Sequence, residues 1–316
     1  MKSFLQLIRW PNLLIIVLTQ YLMRWSILKP ILSSNGFELQ FSEFHFALLV
    51  LATVFITAAG YVINDYFDTR TDRVNRPETV IVGKTINRRL AILLHIVLNT
   101  IGISLGIYIS FVVGMPVLSL VFITITGILW FYSASYKRQL LIGNVIVAVL
   151  TAMVPLMVAL FEIPMLNEVY GKIMREMQQD FLYLMAWIGA FSFFAFMTTL
   201  IREIIKDMED FEGDSAYGRN TLPIVMGMKW SRAIVILLSF VTIFALLFLF
   251  FRYLKDWLTF IYFVFFIILP LIYLMIHLIK STKKRHYHMA STLTKFIMLS
   301  GILYALLANY IIHQNF

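Results

Sequence analysis

FHFALLVLATVFITAAGYVINDYFDTRTD, residues 44–72, joins two unlike kinds of chain. Residues 44–63 carry no Asp, Glu, Lys or Arg and are long enough to cross the hydrocarbon core of a bilayer as one helix. The next nine residues place Asp65, Asp68 and Asp72 within eight positions. Carboxylates packed this densely repel one another. At about 6 Å and an effective dielectric of about 20, a partly buried neighbouring pair opposes folding by roughly 3 kcal/mol. A bound cation removes that cost, so the stretch reads as a membrane helix ending in a cation-binding stripe.

The rest of the chain repeats the first half of this reading. Of its 316 residues 60% are hydrophobic and 14% charged, with 28 Phe, which excludes the core-and-surface partition of a soluble protein. Runs of membrane-crossing length predict nine helices, at 13–30, 44–63, 90–113, 115–132, 142–161, 181–201, 233–251, 257–279 and 296–312. The first apolar segment lacks a small-residue cleavage site and is expected to stay. The connection at 162–180 reads either as an amphipathic surface helix or as an exposed loop. No second domain is visible, and residues 1–316 are expected to form one transmembrane domain.

The net charge of +9 follows topology rather than nucleic-acid binding, because nothing resembles a soluble basic domain. The N-terminus and the connections after spans two, four, six and eight hold 20 of the 26 Lys and Arg residues. The positive-inside bias puts the N-terminus in the cytoplasm and the C-terminus outside. There is no cysteine, so thiolate metal sites and cysteine nucleophiles are excluded. The six histidines are scattered, and none reads as a metal ligand or catalytic base.

DMEDFEGD, residues 207–214, repeats the first motif's spacing. Asp207, Asp210 and Asp214 stand 142 positions after Asp65, Asp68 and Asp72. Ten of the 17 acids fall in two windows, residues 65–78 and 203–214, which an even number of spans places on the same side of the membrane. The duplication suggests two similarly oriented four-helix halves with a ninth helix added. Residues at i, i+3 and i+7 share a helix face, so each trio is expected to form a carboxylate stripe at a span end. All donors are oxygens, and Asn64 adds a carbonyl. This favours Mg2+, bound by a few carboxylates, water and substrate phosphates, over zinc or copper. Cations stand close to both motifs: Arg70, Arg73 and Arg76, then Arg202 and Lys206, and Lys137 with Arg138 in FYSASYKRQLLIGN, residues 131–144. Such groups suit phosphate oxygens.

Together the motifs resemble the UbiA superfamily of intramembrane prenyltransferases. NDYFDTRTDRVNRP matches that family's NDxxDxxxD and following NRP, and KDMEDFEGD is similar to its second acidic motif. The resemblance implies an all-α, polytopic fold with a cytoplasm-facing active-site chamber. It also implies that Asn64, Asp68, Asp72, Asp210 and Asp214 hold Mg2+ and a prenyl diphosphate, with Asp65 and Asp207 in support. Arg76 and Lys137 would grip the diphosphate, with Tyr132 nearby. After Pro77 the chain reads ETVIVGK where many members carry a second Arg-Pro, which leaves Lys84 as the substitute. REIIKDMEDFEGD is similar to the branch that moves geranylgeranyl groups onto glycerol-phosphate lipids, whereas other members prenylate aromatic quinone or tetrapyrrole precursors.

The implied activity is Mg2+-assisted ionisation of the diphosphate, followed by attack of a hydrophobic acceptor on the allylic carbon. The rival from another class is a transporter of divalent cations or organic anions. Transport acids belong near the bilayer midplane, and the spans as drawn hold almost none.

Overall fold

The computed structural model describes residues 2–75, 77–78 and 80–315, the side chains of residues 70, 75 and 315 aside. Among the described residues nine helices are long and apolar enough to cross a membrane. In chain order they are α1 (Trp10–Ser34), α2 (Glu43–Asn75), α3 (Arg88–Val112), α4 (Ser119–Ala134) and α5 (Ile142–Glu176). The remaining four are α6 (Leu182–Glu209), α7 (Gly227–Leu254), α8 (Trp257–Ile279) and α9 (Lys284–Asn315). All nine expected spans are present. The helices at α2, α6 and α9 run beyond the apolar runs, because their polar ends continue the same backbone hydrogen bonding into the connections.

Residues 162–180 depart from both expectations. Neither a separate surface helix nor a loop stands at 162–176, because α5 continues without interruption to Glu176 through Pro155 and Pro164, and of that segment residues 177–180 alone lie in the connection. Glu162 explains the continuation, since it is fully buried. One of its carboxylate oxygens accepts from the backbone N–H of Gln40 (2.6 Å) and of Phe41 (3.0 Å). The other takes the Arg24 guanidinium at 2.6 Å. Arg24 stands in a wide turn of α1, Met23–Leu28, and also donates to Glu43 at 3.0 Å and to the Phe41 carbonyl. Every strong donor or acceptor in this group meets a partner, which is the condition for burying charge in an apolar chain. An acid therefore does lie within a helix of membrane length, contrary to the spans as first drawn.

The chain forms two compact units: residues 1–136 with 154–188, and residues 137–153 with 189–316. In the first, α3 carries Gly102 and Gly106 four residues apart. A Cβ on Gly102 would lie 2.7 Å from Ile56 of α2, and one on Gly106 would lie 2.4 Å from the Phe122 ring of α4. Small residues let helices approach where no hydrophobic effect drives them together. In the second unit Gly301 of α9 admits Phe194 of α6 in the same way, and Tyr304 of α9 shares a 2.9 Å hydroxyl hydrogen bond with Thr259 of α8.

Candidate functional site

In the first unit Asn64, Asp65, Asp68 and Asp72 all fall within α2, so the expected one-faced stripe is present. Asp68 is buried, while Asn64, Asp65 and Asp72 are half-buried. Asp65 accepts from Arg9 at 2.8 Å, and the Arg9 guanidinium lies 4.9 Å from the Tyr61 ring centroid. Partial burial opposes the charge on Arg9, but attraction to Asp65, then to Tyr61 and Asp72, more than offsets it and raises the pKa above its ordinary value. Arg76 and the side chains of Arg70 and Asn75 lie outside the described residues.

The ETVIVGK segment has a structural role. Val80, Val82 and Ile86 are buried, and Val82 and Ile86 pack with Leu7, Ala58, Val62 and Ala91. Gly83 turns the loop at φ +83°, with its N–H donating to the Ile86 carbonyl at 2.8 Å. Lys84, expected from the sequence as the substitute for a second arginine, donates to the Pro77 carbonyl at 2.8 Å. The loop is thus pinned by its own apolar side chains over the helix that bears the aspartates.

The second motif is not one unbroken stripe. Helix α6 ends at Glu209, and Asp210 bends the chain into a short helix, Phe211–Ala216. The N–H of Asp210 still donates to the Lys206 carbonyl (2.9 Å) and that of Asp214 to the Asp210 carbonyl (3.1 Å), so helical spacing survives the bend. Asp207 accepts from the Asn144 side chain at 2.7 Å, and buried Asp214 pairs with Arg219 at 3.2 Å. Arg202 and Lys206 both engage Glu203, at 2.6 and 3.8 Å. Lys137 is buried in the turn Tyr136–Arg138, whose Arg138 carbonyl accepts from the Asn220 N–H at 2.9 Å. Tyr132 is half-buried near the end of α4.

Three residues tied to the motifs escaped the sequence reading: Arg9, Asn144 and Arg219. Only Arg219, five residues past Asp214, left a local signal. The other two reach their aspartates over 56 and 63 positions. Among the histidines, His288 meets Glu209 at 2.9 Å.

Two acidic segments are thus held in place by cationic and amide donors, with a buried lysine in the second unit. A family model, the UbiA prenyltransferase family, matches residues 34–306. The chain belongs to that family. One relative, digeranylgeranylglyceryl phosphate synthase of Methanothermobacter thermautotrophicus, is 32% identical over 73% of this chain and 69% of its own length. The enzyme of the same name from Thermococcus sibiricus is also 32% identical, and the match spans 63% of each chain. A solved structure of digeranylgeranylglyceryl phosphate synthase in membranes aligns with a TM-score of 0.65 at 23% identity, covering 96% of this chain and 98% of the other. A UbiA homolog from Archaeoglobus fulgidus, bound to DMAPP and Mg2+, aligns with a TM-score of 0.53 at 16% identity, covering 96% and 99%. These structural likenesses carry the fold, and the family match makes the chain a UbiA-type prenyltransferase.

Proposed function

We propose that this chain transfers a geranylgeranyl group from its diphosphate to the free hydroxyl of a glycerol-phosphate lipid, with Mg2+ as cofactor. The observation that carries this reading is the duplicated acidic motif, in a chain about a third identical to digeranylgeranylglyceryl phosphate synthases.

The donor set suits the metal. Residues 64–72 and 207–214 offer carboxylates and one amide, with no histidine or cysteine. Among the described residues no three acidic or imidazole groups form a closed cage. Mg2+ asks only for one or two carboxylates, and takes its other ligands from water and phosphate. Asp68, Asp72, Asp210 and Asp214 would hold it, with Asn64, Asp65 and Asp207 in support. When bound, it neutralises the diphosphate as a leaving group.

The chain's own residues do the rest. Lys137, buried, offers an ammonium to the diphosphate oxygens, and Arg76 a guanidinium, while Arg202, Lys206 and Tyr132 are further candidate contacts. Arg9, Asn144 and Arg219 fix the rotamers of Asp65, Asp207 and Asp214, so those carboxylates need little reorganisation on binding. The bond from the allylic carbon to the diphosphate oxygen breaks as the acceptor oxygen bonds that carbon, and the hydroxyl proton passes to the released diphosphate. Apolar surroundings keep water from intercepting the carbocation-like carbon. The sorting of Lys and Arg supports a cytoplasmic N-terminus and cytoplasmic acidic windows.

The test is product identification by mass spectrometry after incubating purified protein with geranyl, farnesyl and geranylgeranyl diphosphates, each with a glycerol-phosphate ether lipid or an aromatic hydroxy acid. The expected product is the lipid extended by 20 carbons, formed only with Mg2+. Prenylation of the aromatic acceptor alone would overturn the acceptor class, and no transfer to any acceptor would overturn the activity.

A further inference from the structure

Residues 140–146 and 222–234 of the second unit enclose an apolar groove of about 500 Å³. Leu140, Leu141 and Val145 form one wall, and Leu222, Met226 and Ile234 the other. The bond from the Asn220 N–H to the Arg138 carbonyl joins the two wall segments just ahead of the groove. Leu141 has φ +57°, a left-handed conformation that bulky residues rarely adopt. Its strain marks where the chain turns from the Lys137 loop into α5.

The groove is separate from the acidic motif. Asn144, on the same turn of α5, points its side chain to Asp207, so the groove lies on another face of that helix. Two exposed cations flank the walls in sequence, Arg138 two residues before Leu140 and Lys229 three after Met226, and neither makes an ion pair with a described residue. The acid nearest in sequence, Asp214, already pairs with Arg219. Residues 215–255 contain no acid at all. Trp230, 61% exposed, stands one helical turn before the groove residue Ile234, on the same stripe of α7. Tryptophan so placed suits the level of the lipid headgroups.

We infer that this groove is a binding site for an anionic bilayer lipid, with a hydrocarbon chain along its apolar walls and the headgroup phosphate against Arg138 and Lys229. Apolar lining, surface cations with no ion pair among the described residues and an exposed tryptophan together fit an amphiphile carrying negative charge, and the groove's volume suits one hydrocarbon chain. The proposal does not depend on which acceptor the enzyme uses.

Native mass spectrometry of the purified protein, titrated with dioleoyl phosphatidylglycerol or dioleoyl phosphatidylcholine, tests it. Two surface cations correspond to about a 30-fold preference for the anionic lipid at low salt. Combining Arg138→Gln with Lys229→Gln is expected to bring that preference to within about twofold while weak binding of both lipids persists. Val145→Trp, which fills the groove, is expected to lower retention of both lipids about tenfold. Equal retention of the two lipids by the unaltered protein would overturn the proposal, as would an undiminished preference in the charge variant, whose surface changes leave the fold intact.

Discussion

Replacing Glu162 with leucine isolates the energetics of a charge cluster buried among the helices of the first unit. The Glu162 and Arg24 side chains are 0% and 2% exposed and meet at 2.6 Å. Without the carboxylate, Arg24 keeps Glu43, whose side chain is 52% exposed, the Phe41 carbonyl and the face of the Phe46 ring. Breaking a buried pair costs about 3–5 kcal/mol. The N–H groups of Gln40 and Phe41 lose their acceptor as well. Each such loss costs about 1–3 kcal/mol when water cannot reach the donor, and Gln40 is only half-buried. A total of about 5 kcal/mol is therefore expected for Glu162→Leu. Glu43→Gln, at the wet end of the same cluster, should cost less than about 1 kcal/mol. Combining Arg24→Met with Glu162→Leu removes the stranded cation, so the double variant should be less than additive by about 2–3 kcal/mol. Equilibrium unfolding in dodecyl maltoside micelles titrated with dodecyl sulfate measures the unaltered protein, Glu162→Leu, Arg24→Met, their double variant and Glu43→Gln. Were Glu162→Leu to cost no more than Glu43→Gln, or the cycle to show no coupling, the cluster would not be holding α1, the 35–42 connection and α5 together.

Helix packing and motif support make two further predictions. Gly106→Ala puts a methyl 2.4 Å from the base of the Phe122 ring and should destabilise by about 1–3 kcal/mol, whereas Gly127→Ala, with nothing within 4 Å, should gain up to about 1 kcal/mol from helix propensity. The same unfolding titration reads both, and equal signs would refute the close approach of α3 and α4. Asn144→Ala removes a donor to the Asp207 carboxylate, worth about 1.5–3 kcal/mol, and should lower prenyl transfer about tenfold. Asn144→Asp sets like charges together and should lower it further. An aspartate variant as active as the unaltered enzyme would show that Asp207 needs no such support.

Length and apolarity alone made the spans legible: residues 257–279 coincide with α8, and 44–63 lie within α2. The reading failed where charge was mistaken for solvent. Glu162 looked like the start of a loop because its partner Arg24 is 138 residues away, and no local pattern announces a pairing made by tertiary structure. Residues 284–295, rich in Lys and His, hid the first three turns of α9 for the same reason. The aspartates of the site were legible because their spacing recurs. Their supports were not, since Arg9 and Asn144 act across the fold and a single arginine or asparagine has no periodicity to betray it. The bend at Asp210 was equally hidden, because the spacing of the motif is compatible with helix throughout.

The most direct test of the central claim is single-turnover prenyl transfer in liposomes by Asp68→Asn and Asp210→Asn, one from each motif, across a Mg2+ titration that begins in EDTA. If both carboxylate sets serve ionisation of the diphosphate, each variant stays folded but loses about 100-fold or more in rate, and the unaltered enzyme is silent until Mg2+ is restored. Either folded variant turning over at the unaltered rate, or transfer proceeding undiminished in EDTA, would contradict the account.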